Sequence, residues 1–139
     1  MQNWQVRVAP SLGGGFAGTP EEVWGVKPYE NNTDPTVFFG LYGLPDFYAL
    51  WRHKGDKAVL WAGSDIRHLL CGYWLDGVGK LRLPPWDMAA WIDINCDNYV
   101  ENNMEQQALA EIGIKANVVP SFLGNVDEYD IVLTSPPRS

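Results

Sequence analysis

Ala58-Val59-Leu60-Trp61-Ala62-Gly63-Ser64-Asp65-Ile66-Arg67-His68-Leu69-Leu70 is the stretch that decides the fold. Five apolar residues run without polar alternation, the pattern of a strand covered on both faces. Gly63 interrupts the run. Ser64 can act as N-cap and Asp65 complements the positive end of a helix dipole, so a helix follows at once. A fully buried strand feeding a capped helix is the repeating unit of a parallel sheet, because each strand must be reached by a crossover that packs on a sheet face.

The unit upstream has the same order. Thr36-Val37-Phe38-Phe39 is a short β run, Gly40-Leu41-Tyr42-Gly43 turns the chain, and Pro45-Asp46 opens a helix with Phe47, Leu50 and Trp51 on one face. His53 and Lys54 suit its C-terminal end and Gly55 can cap it. Further back, Trp4, Val6 and Val8 alternate with Gln5 and Arg7, which predicts a half-buried first strand ending at Pro10. Residues 11–35 are irregular, with Gly13-Gly14-Gly15, Pro20, Pro28 and Asn31-Asn32.

Downstream, Pro84-Pro85-Trp86 predicts a helix to Asn95 with Trp86, Ala89, Ala90 and Ile94 toward the core. Tyr99-Val100 is a very short strand. Asn102 and Glu105 have the spacing of a capping box, with Met104, Ala108, Leu109 and Ile112 as the apolar stripe behind it. Gly113 and Ile114 suit a left-handed helix end, and Ala116-Asn117-Val118-Val119 predicts a last strand. The fold class is therefore α/β: a small, doubly wound, mainly parallel sheet with helices on both faces, in a single lobe over residues 1–124. Residues 125–139, acidic and Pro-containing, are expected to be a tail or an interlobe linker.

Composition narrows the function. Seven Trp, six Tyr and five Phe in 139 residues, with 46% of the chain hydrophobic, exclude the signature of disorder. The net charge of −7 falls mostly in residues 70–139, which argues against a nucleic-acid partner. Cys71 and Cys96 form no metal-ligand spacing with the two His, so no metal or other cofactor is expected and two reduced thiols in the cytoplasm are. No apolar stretch has the length of a membrane span.

In parallel sheets ligands lie beyond the carboxyl ends of the strands, so the segments after the predicted strands hold the candidate residues. Gly14 and Gly15 offer bare backbone to a phosphate or sugar, though they lack the GxGxxG and Walker spacings. Gly40 and Gly43 bracket Tyr42, whose ring could stack on a sugar or pack on the sheet edge. Gly63, Ser64 and Asp65 place a hydroxyl and a carboxylate at a strand end. If Asp65 only caps its helix, Asp65→Asn should cost at most about 1 kcal/mol. His68, one turn on, could join as acid or base. Asn102 is explained by capping, whereas nothing structural requires Glu101.

Taken in order, Phe39-Gly40-Leu41-Tyr42-Gly43, Trp61-Ala62-Gly63-Ser64-Asp65-Ile66, Tyr99-Val100-Glu101-Asn102-Asn103 through Gly113-Ile114, and Val118-Val119-Pro120-Ser121-Phe122 resemble the N-terminal lobe of GT-B glycosyltransferases over residues 36–124. The resemblance implies a Rossmann-like lobe that holds an acceptor carbohydrate or other hydroxyl substrate, while a nucleotide-sugar donor sits on a second lobe that is missing from this chain or separate from it. It implies transfer of a hexose to an acceptor hydroxyl, with Asp65, His68 or Glu101 orienting or deprotonating that hydroxyl, and no activity without the second lobe. The sequence departs from the family in replacing the first helix by the irregular residues 11–35. The alternative is a non-catalytic binding or assembly module that offers an aromatic-rich surface to a protein partner.

Overall fold

The computed structural model describes residues 4–12, 25–70 and 85–119. Six parallel strands form one sheet: β1 (Gln5–Val8), β2 (Lys27–Pro28), β3 (Thr36–Phe39), β4 (Lys57–Leu60), β5 (Asp97–Val100) and β6 (Asn117–Val118). Their order is β2-β1-β3-β4-β5-β6. Four helices are described: α1 (Leu44–Arg52), α2 (Ser64–Leu70), α3 (Pro85–Asn95) and α4 (Asn103–Glu111). This is the α/β, Rossmann-like class expected from the alternating strand and helix units.

The direction of winding explains how the two faces are covered. Every connection from β2 onward moves the chain the same way across the sheet, and right-handed crossovers that move the same way lie on the same face. Accordingly Phe38, Val59, Trp61 and Val100 share one buried cluster with residues from all four described helices. Only the β1-to-β2 connection runs the opposite way. The other face, with Val6, Val37, Phe39, Leu60 and Tyr99, gathers Leu12 and Val26 from the described ends of that connection and no residue of a described α-helix.

Three local expectations change. β1 is a central strand, so Gln5 and Arg7, expected on a solvent face, point to the helix-covered side. Gln5 is fully buried: its Nε2 donates to the Asn31 carbonyl and to Thr36 Oγ1 (2.8 Å), and its Oε1 accepts from Glu30 N (3.0 Å). Residues 27–28, expected to be irregular, form the edge strand β2, where a proline is tolerated because one side of the strand has no ladder to feed. In α3, among the residues whose side chains are described, Met88, Ala89 and Ile92 are buried, while Ala90 and Ile94 turn outward, Ile94 being 66% exposed; the side chain of Trp86 lies outside the described part. The helix is apolar nearly all round, so its sequence carries no phase. Trp51 of α1 is likewise 49% exposed, with Leu44, Phe47 and Leu50 taking the core.

The termini of α4 form as their residues require. Asn102 Oδ1 accepts from Glu105 N (2.9 Å) and the Glu105 carboxylate accepts from Glu101 N (3.3 Å). Gly113, at φ +89°, lets Ile114 N reach the Leu109 carbonyl (3.0 Å) and Gly113 N reach that of Ala110 (3.0 Å), closing the helix with Ile114 buried.

Candidate functional site

Because all strands are parallel and in register at Val8, Phe39, Leu60 and Tyr99, the loops after β3, β4 and β5 line the same sheet edge. Gly40, Tyr42, Gly43, Gly63, Ser64, Asp65, Glu101 and Asn102 therefore come together at the carboxyl edge, with His68 one turn into α2. Gly14 and Gly15 lie outside the described residues.

Asp65 holds this edge together. Its buried carboxylate accepts from four backbone N–H groups: Leu41 (3.1 Å), Ala62 (3.1 Å), Gly63 (2.9 Å) and Ile66 (3.0 Å). Burial pushes the carboxyl up from the usual range, and the four donors pull it back. A carboxylate surrounded in this way has no face left for a substrate hydroxyl. It clamps the β3–α1 loop to the β4–α2 loop.

Tyr42 is held at three points. Its N–H donates to Asp46 Oδ2 (2.8 Å), its hydroxyl pairs with Ser64 Oγ (2.9 Å), and its carbonyl lies 3.0 Å from His68 Nδ1. A carbonyl can only accept, so the His68 proton sits on Nδ1. The two rings meet edge-on at 5.3 Å. Ser64, expected as the N-cap of α2, thus spends its hydroxyl on Tyr42, and burial raises the Tyr42 phenol. Asp46 also pairs with Arg7 Nη1 at 2.6 Å, which ties this loop to β1.

Gly40 is shaped by packing. It adopts φ +87°, and a Cβ there would lie 2.9 Å from Leu12 Cδ1 and 3.2 Å from Ala9 Cβ. Side chains already fill the space above it, between β1 and β3.

The open part of the edge lies one strand further along. Between the β4–α2 turn and the start of α4 runs a groove of about 380 Å³. Ala62, Ile66, Met104 and Ala108 give it apolar walls, and Gly63, Ser64, Arg67, Asn102 and Glu105 give it polar ones. Glu105 is the residue the sequence reading did not place in a site. Its capping role was legible, but its second surface, toward Gly63, depends on a chain segment some forty residues away. Desolvation pushes the Glu105 carboxyl up, Glu101 beside it adds to the effect, and the Glu101 N–H and Arg67 oppose it. Glu101 itself is exposed and does not line the groove.

Among the described residues no group of three or more His, Cys, Asp or Glu could hold a metal ion, and no helix is long and apolar enough to cross a membrane. No family profile, curated protein or solved structure matches the chain.

Proposed function

We propose that this chain is the acceptor-side lobe of a GT-B-type glycosyltransferase, holding a hydroxyl-bearing acceptor at the carboxyl edge while a second lobe facing that edge holds the nucleotide sugar. One observation carries the reading. The groove is walled by Ala62, Gly63, Ser64 and Ile66 and by Asn102, Met104 and Glu105, from two of the segments on which the resemblance rests, and it lies where parallel sheets bind ligands. Its volume of about 380 Å³ falls in the usual range for small-ligand sites. Transfer needs reactants and charge-stabilising groups converging from two walls, and the described edge supplies one. Among the described residues Arg67 is the one cation lining the groove, too little for a diphosphate, which favours a donor site elsewhere.

Titration of the isotopically labelled chain with methyl glycosides and, separately, with nucleotide sugars tests the reading by amide NMR. Shifts at Gly63, Ser64 and Asn102 with the glycosides, and little response to nucleotide sugars, are expected. Micromolar binding of a nucleotide sugar by the chain alone would overturn the acceptor-side assignment. A groove that answers only to a protein partner would favour the assembly module.

A further inference from the structure

Among the described residues the groove has one carboxylate, Glu105, and its setting differs from those of the other described acids on this edge. Asp65 is buried and surrounded by backbone donors, and Asp46 is taken by Arg7 and Tyr42 N. Glu101 is exposed outside the groove. Glu105 alone both lines the cavity and is half-withdrawn from solvent. One of its oxygens, Oε2, takes the Glu101 N–H. The other, Oε1, lies against Gly63, where a Cβ would come within 2.7 Å of it. Asn102, which also lines the groove, spends its Oδ1 on the helix start, which leaves its amide N–H groups as donors.

We propose that Glu105 binds the acceptor, its Oε1 accepting a hydrogen bond from a hydroxyl of a neutral polyol or sugar seated in the groove, with the Asn102 amide donating to a neighbouring oxygen. This assignment rests on the acceptor-lobe reading and names the group that carries it, in place of Asp65. The chemistry of the walls selects the ligand class. A sugar ring has an apolar C–H face and a polar rim, and the groove mixes apolar residues (Ala62, Ile66, Met104, Ala108) with polar ones (Ser64, Asn102, Glu105). A phosphate would meet the Glu105 charge at close range with one cation, Arg67, to offset it. Gly63 is a glycine here for two reasons: its φ of +121° is strained for other residues, and any side chain would displace the Glu105 oxygen.

Glu105→Gln separates this role from capping, because a glutamine side-chain carbonyl can still accept the Glu101 N–H while the charge is lost. In NMR titrations of the whole chain with methyl glycosides, Glu105→Gln should weaken groove binding about tenfold or more, the size of a charge-assisted hydrogen bond. Glu101→Gln should leave it unchanged, and the melting temperature of both variants should match the parent. Should Glu105→Gln be destabilised, Glu105→Asp, which keeps the charge but withdraws it from Gly63, should give the same loss. Equal binding by parent and Glu105→Gln overturns the Glu105 assignment and leaves the acceptor lobe standing. Equal weakening by Glu101→Gln overturns it too, since general charge would then be the cause. No groove response by the parent to any glycoside overturns both.

Discussion

The two edges of the sheet use their polar side chains in opposite ways. At the amino edge the polar groups satisfy one another. Gln5 binds Asn31, Glu30 and Thr36, Lys27 pairs with Asp34 at 2.6 Å, and Asn31 Oδ1 accepts from Thr33 N and Asp34 N. His53 Nε2 donates to the Asp34 carbonyl (2.7 Å) and its Nδ1 accepts from the Tyr29 hydroxyl (3.1 Å), with Phe38 packed edge-on against the ring. At the carboxyl edge Asp65 and Asp46 fix the backbone and the Ser64 hydroxyl pairs with Tyr42, while Asn102 and Glu105 line a groove beside them. A network closed on itself stabilises; groups held in place beside a cavity are free to meet a ligand.

The sharpest way to break this contrast is Asp65→Ala. Four N–H groups, two in buried and two in partly buried hydrogen bonds, would lose their acceptor at once, so we expect a loss of about 3 kcal/mol or more in urea unfolding. This exceeds the cost of about 1 kcal/mol that a simple helix cap would carry. A small loss would mean that the loops hold without the clamp. Gln5→Leu probes the opposite edge and should cost about 2 kcal/mol, because it orphans Glu30 N and the Asn31 carbonyl while its own volume is kept; sugar binding should not change. A change in groove affinity would show that the two edges are coupled.

Gly63→Ala should cost about 1–3 kcal/mol from backbone strain alone. Unlike Gln5→Leu it should also abolish glycoside binding by displacing Glu105, a split that calorimetry and NMR together would read. The smallest effect is a pH dependence at the amino edge. Burial lowers the His53 pKa below its ordinary value, with the Asp34 carbonyl opposing and Lys57 assisting. The unfolded chain therefore takes up its proton first. Stability from this group is full above the unfolded pKa of about 6.5 and falls as pH drops below it toward the folded value. Melting curves between about pH 7.5 and pH 5 should show less of this decline in His53→Gln than in the parent. Equal slopes would remove His53 as the cause.

Reading the chain alone succeeds where the deciding interactions are short in sequence. The Asn102–Glu105 box, the Gly113–Ile114 closure and the apolar runs of β3 and β4 each depend on residues within a turn or a strand of one another, so residue type and spacing suffice. Those features made the α/β class and the carboxyl-edge location of the candidate residues legible before any coordinates.

What tertiary structure decided has a common cause: the partner lies far along the chain. Asp65 looks like a helix-start residue until Leu41 N, 24 residues away, closes on it. Gln5 looks like the solvent side of a strand until Thr36, 31 residues away, meets it beneath the helices. Met104, placed in the apolar stripe of α4 by its spacing, is 82% exposed at the rim of the groove. The core face expected for α3 included Ala90 and Ile94, which turn outward; apolar residues surround the helix, and only the face of the sheet it lands on selects Ile92 over Ile94. Local spacing sets which element forms, since a turn or cap is stabilised within a few residues; burial is a property of surfaces brought together by the winding of the sheet, and that juxtaposition turns Glu105 from a capping residue into a wall of the groove.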